Sequence, residues 1–153
     1  MRRLLLSLAL ALTLSAVGAS SALAAAPEGA QKAPLFEETS AVEDGCTPGG
    51  PSGTTSGFAV LNTPGNEQTV TGEVSLKRGA PNTTYDIIVE EHFEPGELGC
   101  FENAFAGTLT TNEEGNGNQH ITVERFPSAT TFSVELENAS GSEEFVSSAV
   151  ELD

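Results

Sequence analysis

Apolar and polar residues alternate along the chain from residue 58 onward, and a period of two predicts short, half-buried β-strands. In residues 70–77 the alternation is strict, and residues 131–137 repeat it, with Ser133, Glu135 and Glu137 predicted to face water. The rows predicted to face inward are Val70, Gly72, Val74 and Leu76; Tyr85, Ile87 and Val89; Ile121 and Val123; Phe132, Val134 and Leu136; and Val146, Ser148, Val150 and Leu152. Weaker candidates at 58–61 and 107–111 bring the expected count to about seven strands.

Residues that favour turns fill the gaps between these runs, and no apolar stripe with helical period extends over three turns. Regular turns between alternating strands predict an all-β fold, a single antiparallel β-sandwich of Ig-like architecture. The central Trp of an antibody domain is missing, because the chain has no Trp. Residues 112–118 are rich in Asn and Gly and are predicted to close a hairpin between 108–111 and 120–125.

The first 24 residues have the layout of a secretory signal peptide. Arg2 and Arg3 precede an apolar run at 4–14, and small residues lead to an A-x-A site that predicts cleavage after Ala24. Residues 25–56 are interrupted by Pro, Gly and Ser and predict a flexible, disordered arm. The domain organisation expected is therefore signal peptide 1–24, arm 25–56 and β-sandwich domain 57–153.

The chain is strongly acidic, with 22 Asp and Glu against 6 Lys and Arg and a formal net charge of −16. Cleavage would remove Arg2 and Arg3 and leave four basic residues against 22 acidic ones, a net charge of −18. Such a surface repels phosphates and anionic lipid headgroups, so it disfavours a nucleic-acid partner or a membrane-surface partner once the signal is removed. The acidic residues are scattered and predict a solvated surface.

Cys46 and Cys100 are the only cysteines. In an oxidising compartment two cysteines at this spacing predict a structural disulfide, since they match neither a C-x-x-C redox motif nor a zinc site. The bond is expected at the edge of the sandwich, where it would hold the arm. No cysteine follows the cleavage site closely, so lipid anchoring is not expected.

The segment 112–123 invites comparison with a calcium-binding loop, in which Asn112, Glu114 and Asn116 are the candidate ligands. Val123 stands where a bidentate Glu would be required, and no helices flank the segment, which favours a hairpin turn instead. The calcium-dependent domain is kept as an alternative, and a calcium-dependent shift in melting temperature would distinguish the two.

No arrangement of residues predicts an enzyme, a catalytic residue or a bound cofactor. Glu90 and His92 share one face of a strand, as metal ligands or an acid/base pair would, but His120 is the only other histidine. A catalytic site would need the two histidines to approach each other, or a carboxylate cluster in a pocket. An exposed polar strand end is the simpler interpretation of this pair.

One set of strand and turn residues is shared with a known group of proteins: Gly72, Glu73, Val74, Ser75, Leu76, Pro81, Asn82, Tyr85, Ile87, Ile88, Val89, Leu109, Thr110, Thr111, Asn112, Gly115, Asn116, Gly117 and Asn118. In these residues the chain resembles small secreted proteins of actinobacterial type, which are mostly of unassigned function. The resemblance covers about half of the mature chain and implies a bacterial, secreted, β-rich protein without catalytic residues to transfer.

These observations predict a secreted, extracellular protein that is a non-enzymatic interaction or structural module. Its expected partner is an unidentified extracellular protein or cell-surface component. The contacts would come from a sheet face, from loops at one end of the sandwich, or from the apolar edge at 100–105, whose alternative use is packing over an open end.

Overall fold

The computed structural model describes residues 29–37, 53–65, 68–93 and 101–152. The predicted signal peptide, Ala24, Cys46 and Cys100 lie outside these ranges. The described residues contain nine strands: β1 (Gln31–Glu37), β2 (Thr55–Asn62), β3 (Thr69–Leu76), β4 (Thr84–His92), β5 (Phe101–Thr110), β6 (Gly117–Glu124), β7 (Thr131–Asn138), β8 (Glu144–Ser147) and β9 (Val150–Glu151). In these ranges no helix is long and apolar enough to cross a membrane.

The strands form one antiparallel sheet that curls until it nearly closes. Its order is β5-β4-β7-β8-β1-β2-β3-β6, and β9 pairs with β7. The prediction of an all-β, antiparallel fold is confirmed. The strand count is nine where about seven were expected, and hydrogen bonds join the strands into one sheet, so the two-sheet, Ig-like sandwich is not confirmed.

A single hydrophobic core lies inside the curled sheet and takes side chains from β1 through β8. The inward rows predicted for β3, β4, β6 and β7 are buried as expected. The row predicted for 146–152 is wrong in its first half, because Phe145 and Ser147 are the buried residues of β8. Phe145 packs edge-on against Tyr85, with ring centroids 5.8 Å apart, and this contact sets which residues of β8 face the core.

Strand β1 corrects the prediction of a flexible arm for residues 31–37, which lie within the segment 25–56 assigned to that arm. Ala33 and Leu35 are fully buried in the core. On one side β1 pairs with β2 from Gln31 to Phe36, and on the other side with β8 from Leu35 to Glu37. Without β1 the remaining ladders would divide into two groups, β5-β4-β7-β8-β9 and β2-β3-β6.

Pro34 lies inside this strand, where a residue without an N–H normally breaks a ladder. Its carbonyl accepts a hydrogen bond from the Ser148 N–H at 3.1 Å. The ladder with β8 begins only at the next residue, Leu35. Because the N–H and C=O of a strand residue point the same way, the missing N–H of Pro34 falls just beyond the end of that ladder.

The loops 77–83 and 111–116 interlock at one end of the sheet, which we call the turn end. Gly79 N–H donates to the Gly115 carbonyl at 3.0 Å, and Asn82 N–H to the Asn112 carbonyl at 3.1 Å. The Thr111 hydroxyl donates to the Ala80 carbonyl at 2.6 Å. These bonds link the β3–β4 and β5–β6 connections, so they hold the two groups of strands together on the side opposite β1.

Residues 112–116 form the predicted turn, but β5 and β6 do not form the predicted hairpin ladder. Asn112 N–H donates to the Asn116 carbonyl at 2.8 Å and closes the turn. Beyond it β5 pairs with β4 and β6 pairs with β3, so that the two strands are the opposite edges of the sheet. Both strands contribute apolar side chains to the core, and each reaches the core beside the strand with which it pairs, β4 for β5 and β3 for β6.

Tyr85 connects the turn end to the core. Its hydroxyl accepts the Ala80 N–H at 2.8 Å and donates to the Glu143 carboxylate. Burial, reinforced by the hydrogen bond to Glu143, raises the pKa of Tyr85 to about 12. The phenol therefore stays neutral in the fold through all ordinary pH values.

Replacing Gly115 by Ala should destabilise the fold more than replacing Gly65 by Ala. Both glycines have left-handed backbones, with φ of +75° and +54°, so both substitutions add a strain of about 1 kcal/mol. A Cβ at Gly115 would lie 2.0 Å from the Gly79 carbonyl oxygen, whereas one at Gly65 would meet nothing within 4 Å. Chemical denaturation should show G115A losing at least about 2 kcal/mol more than G65A. Equal losses would contradict the interlocked loops.

Candidate functional site

The candidate calcium ligands lie in the turn 112–116, and the turn itself engages one of them. The Asn112 side-chain oxygen accepts the N–H groups of Glu114 at 3.0 Å and Asn116 at 2.9 Å. An Asn oxygen that accepts two backbone N–H groups stabilises a turn in the manner of an Asx motif. A calcium ion bound by Asn112 would have to break both bonds. Across the described ranges, no three acidic, His or Cys side chains are grouped so as to hold a metal ion.

The two histidines lie on strands that are not neighbours and have different partners. His120 Nδ1 is 2.8 Å from Glu73 Oε1, its directly opposite residue on β3, and both side chains are exposed. His92 lies at the end of β4, among β5 and β7. The fold therefore does not join the histidines into one site.

His92 instead belongs to a buried polar cluster on the outer face of the sheet, formed with Glu90 and Ser133. Ser133 Oγ lies 2.6 Å from Glu90 Oε2 and 2.9 Å from His92 Nε2. Ser133 is 1% exposed, which corrects the prediction that it faces water, and His92 is buried where an exposed strand end was expected. The cross-strand pairing of Glu90 with Ser133 explains the cluster, since it brings the serine between the two side chains of β4.

This cluster contains the residue types of a hydrolase triad in a different arrangement. In a triad the imidazole bridges the serine and the carboxylate. Here Ser133 is the bridge, donating its proton to Glu90 and accepting the Nε2–H of His92. Burial lowers the pKa of His92, against an opposing effect of Glu90. The Ser133 hydroxyl is already engaged by both neighbours, and the geometry is that of a structural hydrogen-bond network.

Glu91 lies on the other face of the same strand, in the inward row of Tyr85, Ile87 and Val89. It is 1% exposed at the end of the core opposite the turn end, which we call the rim end. Its Oε2 accepts the Phe126 N–H at 2.6 Å. Its Oε1 is buried and has no hydrogen-bond partner among the described residues. A carboxylate in the core with half of its acceptors unused is costly and calls for an explanation.

The electrostatics of Glu91 are dominated by its burial. Desolvation raises the pKa of the Glu91 carboxyl, the Phe126 N–H and the Arg125 guanidinium lower it, and the Glu102 carboxylate raises it further. Glu102 is the residue directly opposite Glu91 on β5, so the two carboxylates face each other across one ladder. Like charges directly opposite in a sheet are destabilising.

Aromatic and basic side chains complete the rim end. The rings of Phe93 and Phe126 lie 4.9 Å apart by their centroids, and Phe126 remains 43% exposed. The Arg125 guanidinium donates to the Ala129 carbonyl at 2.8 and 3.2 Å and to the Leu152 carbonyl at 3.3 Å. Arg125 therefore fixes the 125–130 connection against the last strand, and Phe126 is presented beside Glu91. We call Glu91, Glu102, Phe93 and Phe126 the rim cluster.

Sequence analysis did not identify Glu91 or Phe93 as site residues. The signal was the appearance of Glu91 as the next member of an apolar row at 85, 87 and 89. A charged residue that continues an inward row marks either the end of a strand or a buried polar group. The positions of Glu102 and Phe126 near it depend on strand pairing and were not visible in the sequence.

The chain matches no protein-family model and no curated protein sequence.

Replacing Glu91 by Gln should stabilise the protein at pH 7 by about 1 kcal/mol, because it removes a buried charge and keeps the acceptor for Phe126. The raised pKa of Glu91 fixes the sign of the pH dependence. Its stabilising contribution is complete below the ordinary pKa of a glutamate and is lost as the pH rises through the raised one. The advantage of E91Q should therefore shrink when unfolding is measured at pH 4.

The exposed Glu113 gives a matched control, and Glu113→Gln should change the free energy of unfolding little at either pH. An E91Q effect of the same size at pH 4 and pH 7 would contradict a buried, ionised Glu91 as the cause.

Proposed function

We propose that this chain is a secreted, non-enzymatic extracellular module that binds a protein at the edge of its sheet. The observation that carries the proposal is the exposure of Phe105. It is 66% exposed on the edge strand β5, and with Phe126 it is one of the two large apolar side chains exposed in the described residues. Exposed aromatic side chains at an unpaired strand edge are typical of protein interaction sites.

Secretion rests on the signal peptide layout of residues 1–24, and a bacterial source rests on the resemblance to small secreted actinobacterial proteins. The Ig-like sandwich stays a proposal about the shape of the curled sheet. It is supported by the two groups of strands that β1 joins, which would face each other as two layers across the core.

The predicted disulfide is part of the proposal and has a demanding geometry. Cys100 directly precedes Phe101 at the rim end, whereas Glu37 and Thr55 lie toward the turn end. Cys46 is nine residues from each of them, and nine extended residues span at most about 30 Å. Gly107 lies level with Glu37 along the ladders, and the stretch of β5 from Phe101 to Gly107 is about 20 Å long, so the bond would require an extended connection.

The proposal is tested on the protein recovered from culture medium after expression of the full chain. Its intact mass should correspond to a chain beginning at Ala25 with both cysteines oxidised. Immobilised on a surface, it should retain a protein from extracellular or cell-surface fractions. Phe105→Ser should abolish retention of that same protein, because the substitution removes the exposed ring without touching the core.

Thr108→Ser, at an exposed position of the same strand, is the control and should retain the partner. Absence of the protein from the medium would contradict the secretion proposal. Equal retention of the partner protein by the Phe105 and Thr108 variants would contradict the proposed binding edge.

A further inference from the structure

The rim cluster has three features that bear on what it could bind, and the first is its pair of carboxylates. Glu91 and Glu102 are directly opposite each other on β4 and β5, so their side chains lie on the same face of the sheet, Glu91 buried and Glu102 exposed. Two carboxylates placed this way repel each other, and the neighbouring Arg125 guanidinium is hydrogen-bonded to the Ala129 and Leu152 carbonyls. The exposed side chain of Glu102 leaves this position open to solvent on one side.

The buried oxygen of Glu91 is the second, independent feature. Oε1 has no hydrogen-bond partner in the part of the chain that the structure describes, although the residue is 1% exposed. The other oxygen, Oε2, is already engaged by the Phe126 N–H. A donor that approached from the Glu102 side would satisfy Oε1 and relieve the repulsion between the two carboxylates.

The aromatic pair is the third feature. The backbone N–H of Phe126 donates to Glu91, and its ring contacts the ring of Phe93 at an interplanar angle of 54°. An aromatic face beside a carboxylate attracts organic cations, through the ring quadrupole and through apolar contact with the carbon next to the charge. The 43% exposure of Phe126 places this face at the surface.

We propose that the rim cluster binds a primary ammonium group. One N–H of the ammonium would donate to Glu91 Oε1 and another to the Glu102 carboxylate, while the attached methylene lies against the ring of Phe126. A divalent metal ion fits less well, because the described residues offer no third acidic, His or Cys ligand. An ammonium needs only two acceptors and an apolar contact.

This inference names a chemical class of ligand for the proposed interaction function. If ammonium binding is disproved, the proposed interaction function can still hold. An ammonium group reaches an extracellular protein either as a lysine side chain of another protein or as a free polyamine. The net charge of the mature chain, −18 after signal cleavage, favours the approach of both.

The test uses the secreted, full-length mature protein labelled with ¹³C at its Glu carboxyl groups. Butylammonium chloride is titrated at pH 7, and tetramethylammonium chloride at equal ionic strength is the matched control, because it carries the charge without an N–H donor. Butylammonium should move the Glu91 and Glu102 carboxyl signals in a saturable way and raise the melting temperature. Tetramethylammonium should do neither beyond the effect of sodium chloride.

Variants separate the site from general charge screening. Glu91→Gln and Glu102→Gln should each weaken butylammonium binding by about tenfold or more, since each removes a charge-assisted hydrogen bond. Phe126→Ala should weaken it less, and Glu113→Gln should leave it unchanged. Nα-acetyl-lysine amide and putrescine, titrated in the same way, distinguish a protein side chain from a free polyamine as the better ligand.

Equal responses to butylammonium and tetramethylammonium would overturn the proposal and leave only charge screening. Unchanged carboxyl signals at saturating salt would also overturn it and leave an internal water as the partner of Glu91 Oε1. Neither result would affect the retention of a protein partner through Phe105, which tests the proposed function separately.

Discussion

The pairing of β1 with both β2 and β8 is the constraint on which the rest of the fold depends. It joins two groups of strands that share no other ladder in the described residues. Ala33 and Leu35 complete the core between the groups, and Pro34 is accommodated because the β8 ladder begins one residue later. A short N-terminal segment therefore determines whether the molecule is one curled sheet or two separate ones.

The two ends of the curled sheet differ in how their polar groups are satisfied. At the turn end the loops 77–83 and 111–116 hydrogen-bond to each other, and Tyr85 connects them to the core. At the rim end Glu91 is buried with an unused acceptor beside Glu102, under the pair of Phe93 and Phe126. The first end contributes stability, whereas the second retains a cost that a ligand would relieve. Such a cost is typical of a binding site.

Strands in which apolar and polar residues alternate strictly were predicted correctly from the sequence. Features that depend on which strands pair were not predicted. The rows of β3 and β7 were clear because apolar and polar residues alternate there without exception, and the inward row of β4 was clear at Tyr85, Ile87 and Val89. β1 was missed because Pro34 interrupts a strand with only two buried apolar residues. Ser133 was assigned to solvent because its burial comes from Glu90 and His92 on another strand. The rim cluster likewise depends on register, which alternation alone does not specify.

The most direct test of this account is native-state hydrogen exchange of the Leu35→Ala variant, compared with Gln31→Ala at an exposed position of β1. Truncation of a buried leucine costs about 2 to 5 kcal/mol. If β1 joins the two groups into one cooperative unit, the slowest amides of β3 and of β7 should lose the same amount of protection, and Gln31→Ala should change neither. Loss of protection confined to β1 and its immediate neighbours, with β3 and β7 unchanged, would contradict the account.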